Sequence, residues 1–136
     1  SNLGTMKTKN AVKESEKVIS AFEVKTPGTS TLATALSGGN QQKFVVGREL
    51  EDDPSLLIAS QPTRGIDIGA QALIWEKLRK SRDEGLSVLL ISADLEELIG
   101  LSDRIIVFYQ GKLVKELDAK NVTPEDLGGY MTGLKK

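Results

Sequence analysis

The chain has 136 residues, a formal net charge of −1, 39% hydrophobic and 27% charged residues, proportions of a globular domain rather than a disordered segment. Cysteine and histidine are both absent, which removes disulfides, thiolate nucleophiles, imidazole bases and most zinc sites at once. No long basic run occurs and no apolar stretch reaches roughly 18 residues, arguing against a nucleic-acid partner and against direct membrane insertion.

Residues 1–8, opening on Ser1-Asn2, read as a tag remnant or disordered lead. Over 9–22, Val12, Ser15, Ile19 and Phe22 recur at helical spacing, which predicts an amphipathic helix. Thr26-Pro27-Gly28-Thr29-Ser30-Thr31 is a breaker-rich loop. A second helix is expected from near Asn40 to about Glu51, with Phe44, Val45 and Leu50 on its apolar side and Gly47 allowing close packing. Leu56-Leu57-Ile58-Ala59, bounded by Asp53-Pro54 and Gln61-Pro62, predicts a strand buried on both faces, as in a parallel sheet.

Residues 69–84 read as a helix: Ala70, Leu73, Ile74 and Leu78 share a face, Glu76 and Lys80 can pair, and Gly85 suits the C-terminal cap. A second buried strand spans 86–91, and a short helix over 94–100 opens on an Asp94…Glu97 capping pattern. Strands 104–109 and 112–117 flank a hairpin turn at Gln110-Gly111, and Thr123-Pro124 starts a last helix. The order predicts an α/β domain with parallel central strands, flanking helices and an antiparallel edge hairpin.

Leu36-Ser37-Gly38-Gly39-Asn40, continued by Gln41-Gln42-Lys43, carries the most chemistry. Two glycines behind a serine at a helix start make a nest of N–H groups at a positive dipole end, suited to an anion such as phosphate. A serine-capped, glycine-rich helix start is the plainer reading of Ser-Gly-Gly alone. The residues that follow weigh against it. Downstream, the apolar run ending at Ala59 passes into Ser60-Gln61-Pro62-Thr63-Arg64-Gly65-Ile66-Asp67. The pair resembles the signature motif and Walker B/D-loop of ATP-binding cassette (ABC) ATPases, with matches in order from Leu36 to Gln110. Asn40, Gln41-Gln42-Lys43 and the stretch Pro62 to Ala70 are similar to the second cassette in the tandem ATPase subunits of bacterial sugar and nucleoside importers.

What the resemblance implies is specific. No Gly-x-x-x-x-Gly-Lys-Ser/Thr occurs in the 136 residues, so the chain is expected to be a C-terminal fragment of a P-loop NTPase-like domain. Residues 9–50 would belong to the helical signature subdomain and 51–136 to the α/β core. In such ATPases two cassettes enclose two ATP molecules head to tail, each nucleotide capped by the partner's signature. Ser37, Gly38, Gly39, Asn40 and Gln41 would then form the nucleotide-facing set, offered in trans. Asp67 would reach toward the partner's phosphate loop, cap the following helix, or do both.

Three positions depart from the family pattern. Asp-Glu is expected before Pro62-Thr63, where this chain has Ser60-Gln61, and a histidine is expected where it has Ala93. Serine lacks the charge to orient Mg²⁺ as an aspartate would, Gln61 cannot take a proton, and Ala93 cannot polarise water; general-base assistance alone is worth about 10²–10⁴ in rate. The resemblance therefore implies a degenerate cassette with no catalytic or metal-ligating residue of its own, serving a partner cassette's ATP and Mg²⁺. The fragment alone is expected to bind no cofactor and to be inactive. Permease subunits would be the other partners, holding the protein peripherally on the inner membrane face. Two other readings are a regulatory module on a cassette scaffold and a chromosome-maintenance ATPase. Ser60-Gln61 and the short first helix oppose the latter.

Overall fold

The computed structural model describes residues 8–135, so the proposed 1–8 lead lies outside the described residues except for Thr8, which opens the first helix. Five helices and four strands follow: α1 (Thr8–Ala21), α2 (Gly38–Glu51), β1 (Leu56–Ser60), α3 (Ile68–Asp83), β2 (Ser87–Ile91), α4 (Leu95–Leu101), β3 (Arg104–Tyr109), β4 (Lys112–Asp118) and α5 (Pro124–Met131). Single 3₁₀ turns at Ala33–Ala35 and Ala119–Asn121 are additions to the expected elements. Each of the four later helices begins on a side-chain cap, Ser37, Asp67, Asp94 or Thr123, whose oxygen accepts a backbone N–H three residues on. Such caps satisfy donors that a helix start otherwise leaves open.

β1 and β2 pair in parallel, and β3 and β4 form a separate antiparallel hairpin. The α/β class and both strand directions follow the expectation. Gln110 (φ 49°) and Gly111 (φ 74°) give the left-handed pair that a two-residue hairpin turn needs. An irregularity between Val107 and Phe108 shifts the register, a bulge no sequence pattern announces.

The chain divides into two compact units. One runs up to Leu57 and resumes over Pro62–Val88; the other takes Ile58–Gln61 and continues from Leu89. The first buries Val18, Phe22, Val24, Val46, Ala70, Ile74 and Leu78. Here α1 turns inward on Val18, and Phe22 just after it is buried too, while Val12 is exposed; on α2 the buried positions are Gly39, Val46 and Gly47, with Val45 exposed. The expected Gly47 contact is present. A β-carbon there would lie 2.6 Å from Val18 Cγ1 and 2.7 Å from Phe22 Cδ2. The second unit packs Leu98, Ile105, Val107, Ala119 and Leu127 together, with Tyr130 and Met131 at the margin.

β1 and β2, expected to be buried, β1 on both faces, carry exposed apolar residues, as does the hairpin. Ile58 is 61% exposed and Phe108 66%, and Leu56, Leu89, Ile91, Ile106 and Leu113 are exposed as well. Burial alternates along β1, β2 and β3, leaving one side of each open among the described residues. The expected Glu76–Lys80 pair is replaced by Lys80–Glu84, one turn further on at 3.8 Å. Among the described residues, no helix is long and apolar enough to cross a membrane.

Candidate phosphate-facing site

The signature-like residues sit at the start of α2, within the first unit. Ser37 is the N-cap in extended conformation (φ −62°, ψ 155°), and its Oγ accepts from the backbone N–H of Asn40 at 3.4 Å and from Asn40 Nδ2 at 2.9 Å. Gly38 and Gly39 follow as the first two helical residues. Their N–H groups have no partner among the described residues. An exposed hydroxyl, the N–H of exposed Gly38 and the unpartnered N–H of buried Gly39 at a positive helix end are suited to a phosphate oxygen, an interaction worth about 0.3–1 kcal/mol for the dipole alone.

Asn40 and Gln41, the other members of the expected set, direct their side chains into the chain. Asn40 Oδ1 accepts from the Lys25 backbone N–H at 2.8 Å, and Gln41 Nε2 donates to the Leu36 carbonyl at 2.9 Å. Both act as braces. Asn40 ties the loop after α1 to the helix start, and Lys43 Nζ donates to the Glu23 carbonyl at 3.4 Å in the same region.

Asp67 lies against this helix start. It is the N-cap of α3, with Oδ1 accepting from the Ala70 N–H at 2.9 Å. A β-carbon on Gly39 would lie 2.8 Å from Asp67 Oδ2 and 3.1 Å from Ala70 Cβ. Only glycine lets α2 and α3 approach this closely, so Gly39 serves packing as well as the open backbone. The Ala70 N–H, above all, holds the Asp67 carboxyl below its ordinary range, aided by its own and the Gly69 N–H groups and by Lys43. Gly65 (φ 74°) turns the chain between the buried Thr63 and Asp67. Sequence spacing revealed the cap but not the Gly39–Asp67 approach, which joins residues distant in the chain.

The degenerate positions belong to the other unit. Ser60 ends β1, exposed. Gln61 takes a left-handed backbone (φ 50°) and its N–H donates to the Ile91 carbonyl at 2.7 Å, which sets it beside the end of β2. Ala93 is exposed in the turn that follows, where Ser92 Oγ accepts from the Asp94 N–H at 3.0 Å. Neither a carboxylate nor an imidazole stands at any of these three positions. Among the described residues no cluster of acidic side chains is arranged to hold a metal ion. Glu97, read from spacing only as part of the α4 capping pattern, is buried at the start of α4, which spacing did not reveal.

Solved structures with the same fold include a dimeric ATP-binding cassette in a post-hydrolysis state bound to ADP and phosphate (TM-score 0.73, 24% identity, 88% of this chain and 52% of that one). An inward-facing putative metal-chelate ABC transporter also matches (TM-score 0.77, 13% identity, 98% of this chain and 52% of that one). The fold is that of an ABC ATPase cassette.

Within that class the relatives are narrower. The guanosine import ATP-binding protein NupO of Bacillus subtilis is 44% identical over 98% of this chain and 26% of its own length. The glucose import ATP-binding protein TsgD13 of Haloferax volcanii is 48% identical over 87% of this chain and 22% of its own length. The ribose import ATP-binding protein RbsA of Hahella chejuensis is 42% identical over 87% and 24%. No protein-family model matches the chain. The homologues are thus ATP-binding proteins of sugar and nucleoside import, and this chain spans about a quarter of their length.

Proposed function

We propose that the chain is part of the second, degenerate cassette of a sugar or nucleoside importer's ATP-binding subunit, and that it completes a partner cassette's ATP site in trans. The observation that carries this is the contrast between two sets of residues. At the start of α2, the Ser37 hydroxyl and the Gly38 N–H are exposed to an anion, while the unpartnered N–H of Gly39 belongs to a buried residue packed against Asp67. At Ser60, Gln61 and Ala93, no carboxylate or imidazole stands to balance Mg²⁺ or to take a proton from water. The donor set is intact and the hydrolytic set is lost.

ATP and Mg²⁺ are accordingly cofactors of the assembled protein, bound on the partner's phosphate loop. Their γ-phosphate would meet the α2 start when the cassettes close. A hydrogen bond to a charged group is worth about 1.5–3 kcal/mol, so several donors make closure depend on ATP. Permease subunits would receive that motion, and attachment to the membrane would run through them. Residues 9–50 serve in this reading as part of the signature subdomain and 51–136 as part of the core.

The test is ATP turnover by the full-length subunit that carries this segment. Ser37→Ala is expected to lower turnover about tenfold or more. Gln61→Gly removes the side chain at a backbone that glycine adopts freely, and turnover is expected to stay within about twofold. Silence at Ser37 would favour a regulatory module that uses the scaffold without nucleotide.

A further inference from the structure

We infer that Asn40 aims the Ser37 hydroxyl, a positioning role that rests on the trans reading above. Donors and acceptors decide the direction. The Lys25 backbone N–H can only donate, and it lies 2.8 Å from the Asn40 amide oxygen. That contact fixes which end of the amide is which. Nδ2 therefore faces Ser37 Oγ, at 2.9 Å, and an amide NH₂ can only donate. The Asn40 backbone N–H, at 3.4 Å, approaches the same oxygen. A serine hydroxyl has two acceptor lone pairs and one proton. With both lone pairs occupied by Asn40, the proton has to leave in the remaining direction, away from the helix start. Ser37 becomes a committed donor to whatever stands in front of α2, which suits a fully ionised phosphate oxygen.

The chain of contacts also gives the aiming a source. Lys25 follows the buried Val24, and Lys43 Nζ holds the Glu23 carbonyl in the same turn. The loop after α1 thus sets the Asn40 amide, and the amide sets the proton on Ser37.

The experiment compares kcat/KM for ATP in the full-length subunit carrying Ser37→Ala, Asn40→Asp, Asn40→Ala or Ser37→Ala with Asn40→Asp. In Asn40→Asp one carboxylate oxygen still accepts from Lys25, so the loop anchor survives, but the other can only accept. The Ser37 proton turns inward to meet it. Ser37→Ala is expected to lose about tenfold or more, and Asn40→Asp to fall within about threefold of it. The double variant should be no worse than Ser37→Ala within about threefold, the non-additivity of two residues acting as a unit. Asn40→Ala, which cuts the loop anchor yet frees the hydroxyl to turn outward, is expected to retain more kcat/KM than Asn40→Asp. A merely structural role predicts the reverse order.

Wild-type kcat/KM in Asn40→Asp, with Ser37→Ala impaired, would overturn the aiming role and leave the trans reading standing. Additive losses in the double variant would also overturn it, because repulsion between a new carboxylate and phosphate persists without Ser37. Silence of Ser37→Ala would remove the trans reading and this inference together.

Discussion

At Asp67 a single carboxylate meets two demands: one oxygen caps α3 through the Ala70 N–H, and the other lies where a side chain on Gly39 would have to go. The first demand was legible in the sequence, since an aspartate before a helical run is a familiar start signal. The second was not, because helix approach depends on tertiary geometry. Gly39→Asp would press a carboxylate against Asp67 before any phosphate arrived, so its effect on turnover would not isolate ligand contact. Asp67 titrates below the ordinary carboxylate range of about 4 because the ionised form is hydrogen-bonded in the fold. Its contribution to stability is therefore full at neutral pH and is lost as pH falls through the lowered native value. Thermal melts are expected to show Asp67→Asn, still a good cap, close to wild type near pH 7, and Asp67→Ala lower. The gap between wild type and Asp67→Asn should change only in the acid range.

Among the elements, boundaries came within one or two residues of expectation, but inward faces did so less often. On α3 the expected stripe holds: Ala70, Ile74 and Leu78 are buried and Leu73 is half-buried. Trp75, off that stripe, is half-buried with Arg79 stacked 5.8 Å from its ring centre. Where α1 and the Phe22 that follows it meet α2, the inward residues are Val18, Phe22, Val46 and Gly47, because the contact is made at a glycine. Hydrophobic spacing on one helix cannot show that its partner offers a notch in place of a ridge. Gly47→Ala is therefore expected to destabilise the protein by about 1–3 kcal/mol through overpacking, despite alanine's better helix propensity. Denaturant unfolding would check this; an unchanged or raised midpoint would show that α1 yields.

For the whole molecule, the α/β order and strand directions were written in the alternation of apolar runs and capped helices, whereas the open strand faces were not. A short apolar run reads the same whether one or both faces are covered. Ile58, Leu89, Ile91, Ile106, Phe108 and Leu113 leave apolar surface exposed in the second unit, and such surface promotes association. Light scattering of the 136-residue chain is expected to detect self-association, reduced in Phe108→Lys.

The trans role of this segment is tested most directly by chemical protection. The 136 residues contain no cysteine, so Ser37→Cys places one thiol at the α2 start, and its labelling can be followed in the full-length subunit against the Ser37 parent. Non-hydrolysable ATP with Mg²⁺ is expected to slow labelling of that thiol several-fold, and ADP is not. Labelling at the same rate with and without the ATP analogue would contradict a trans role for this segment.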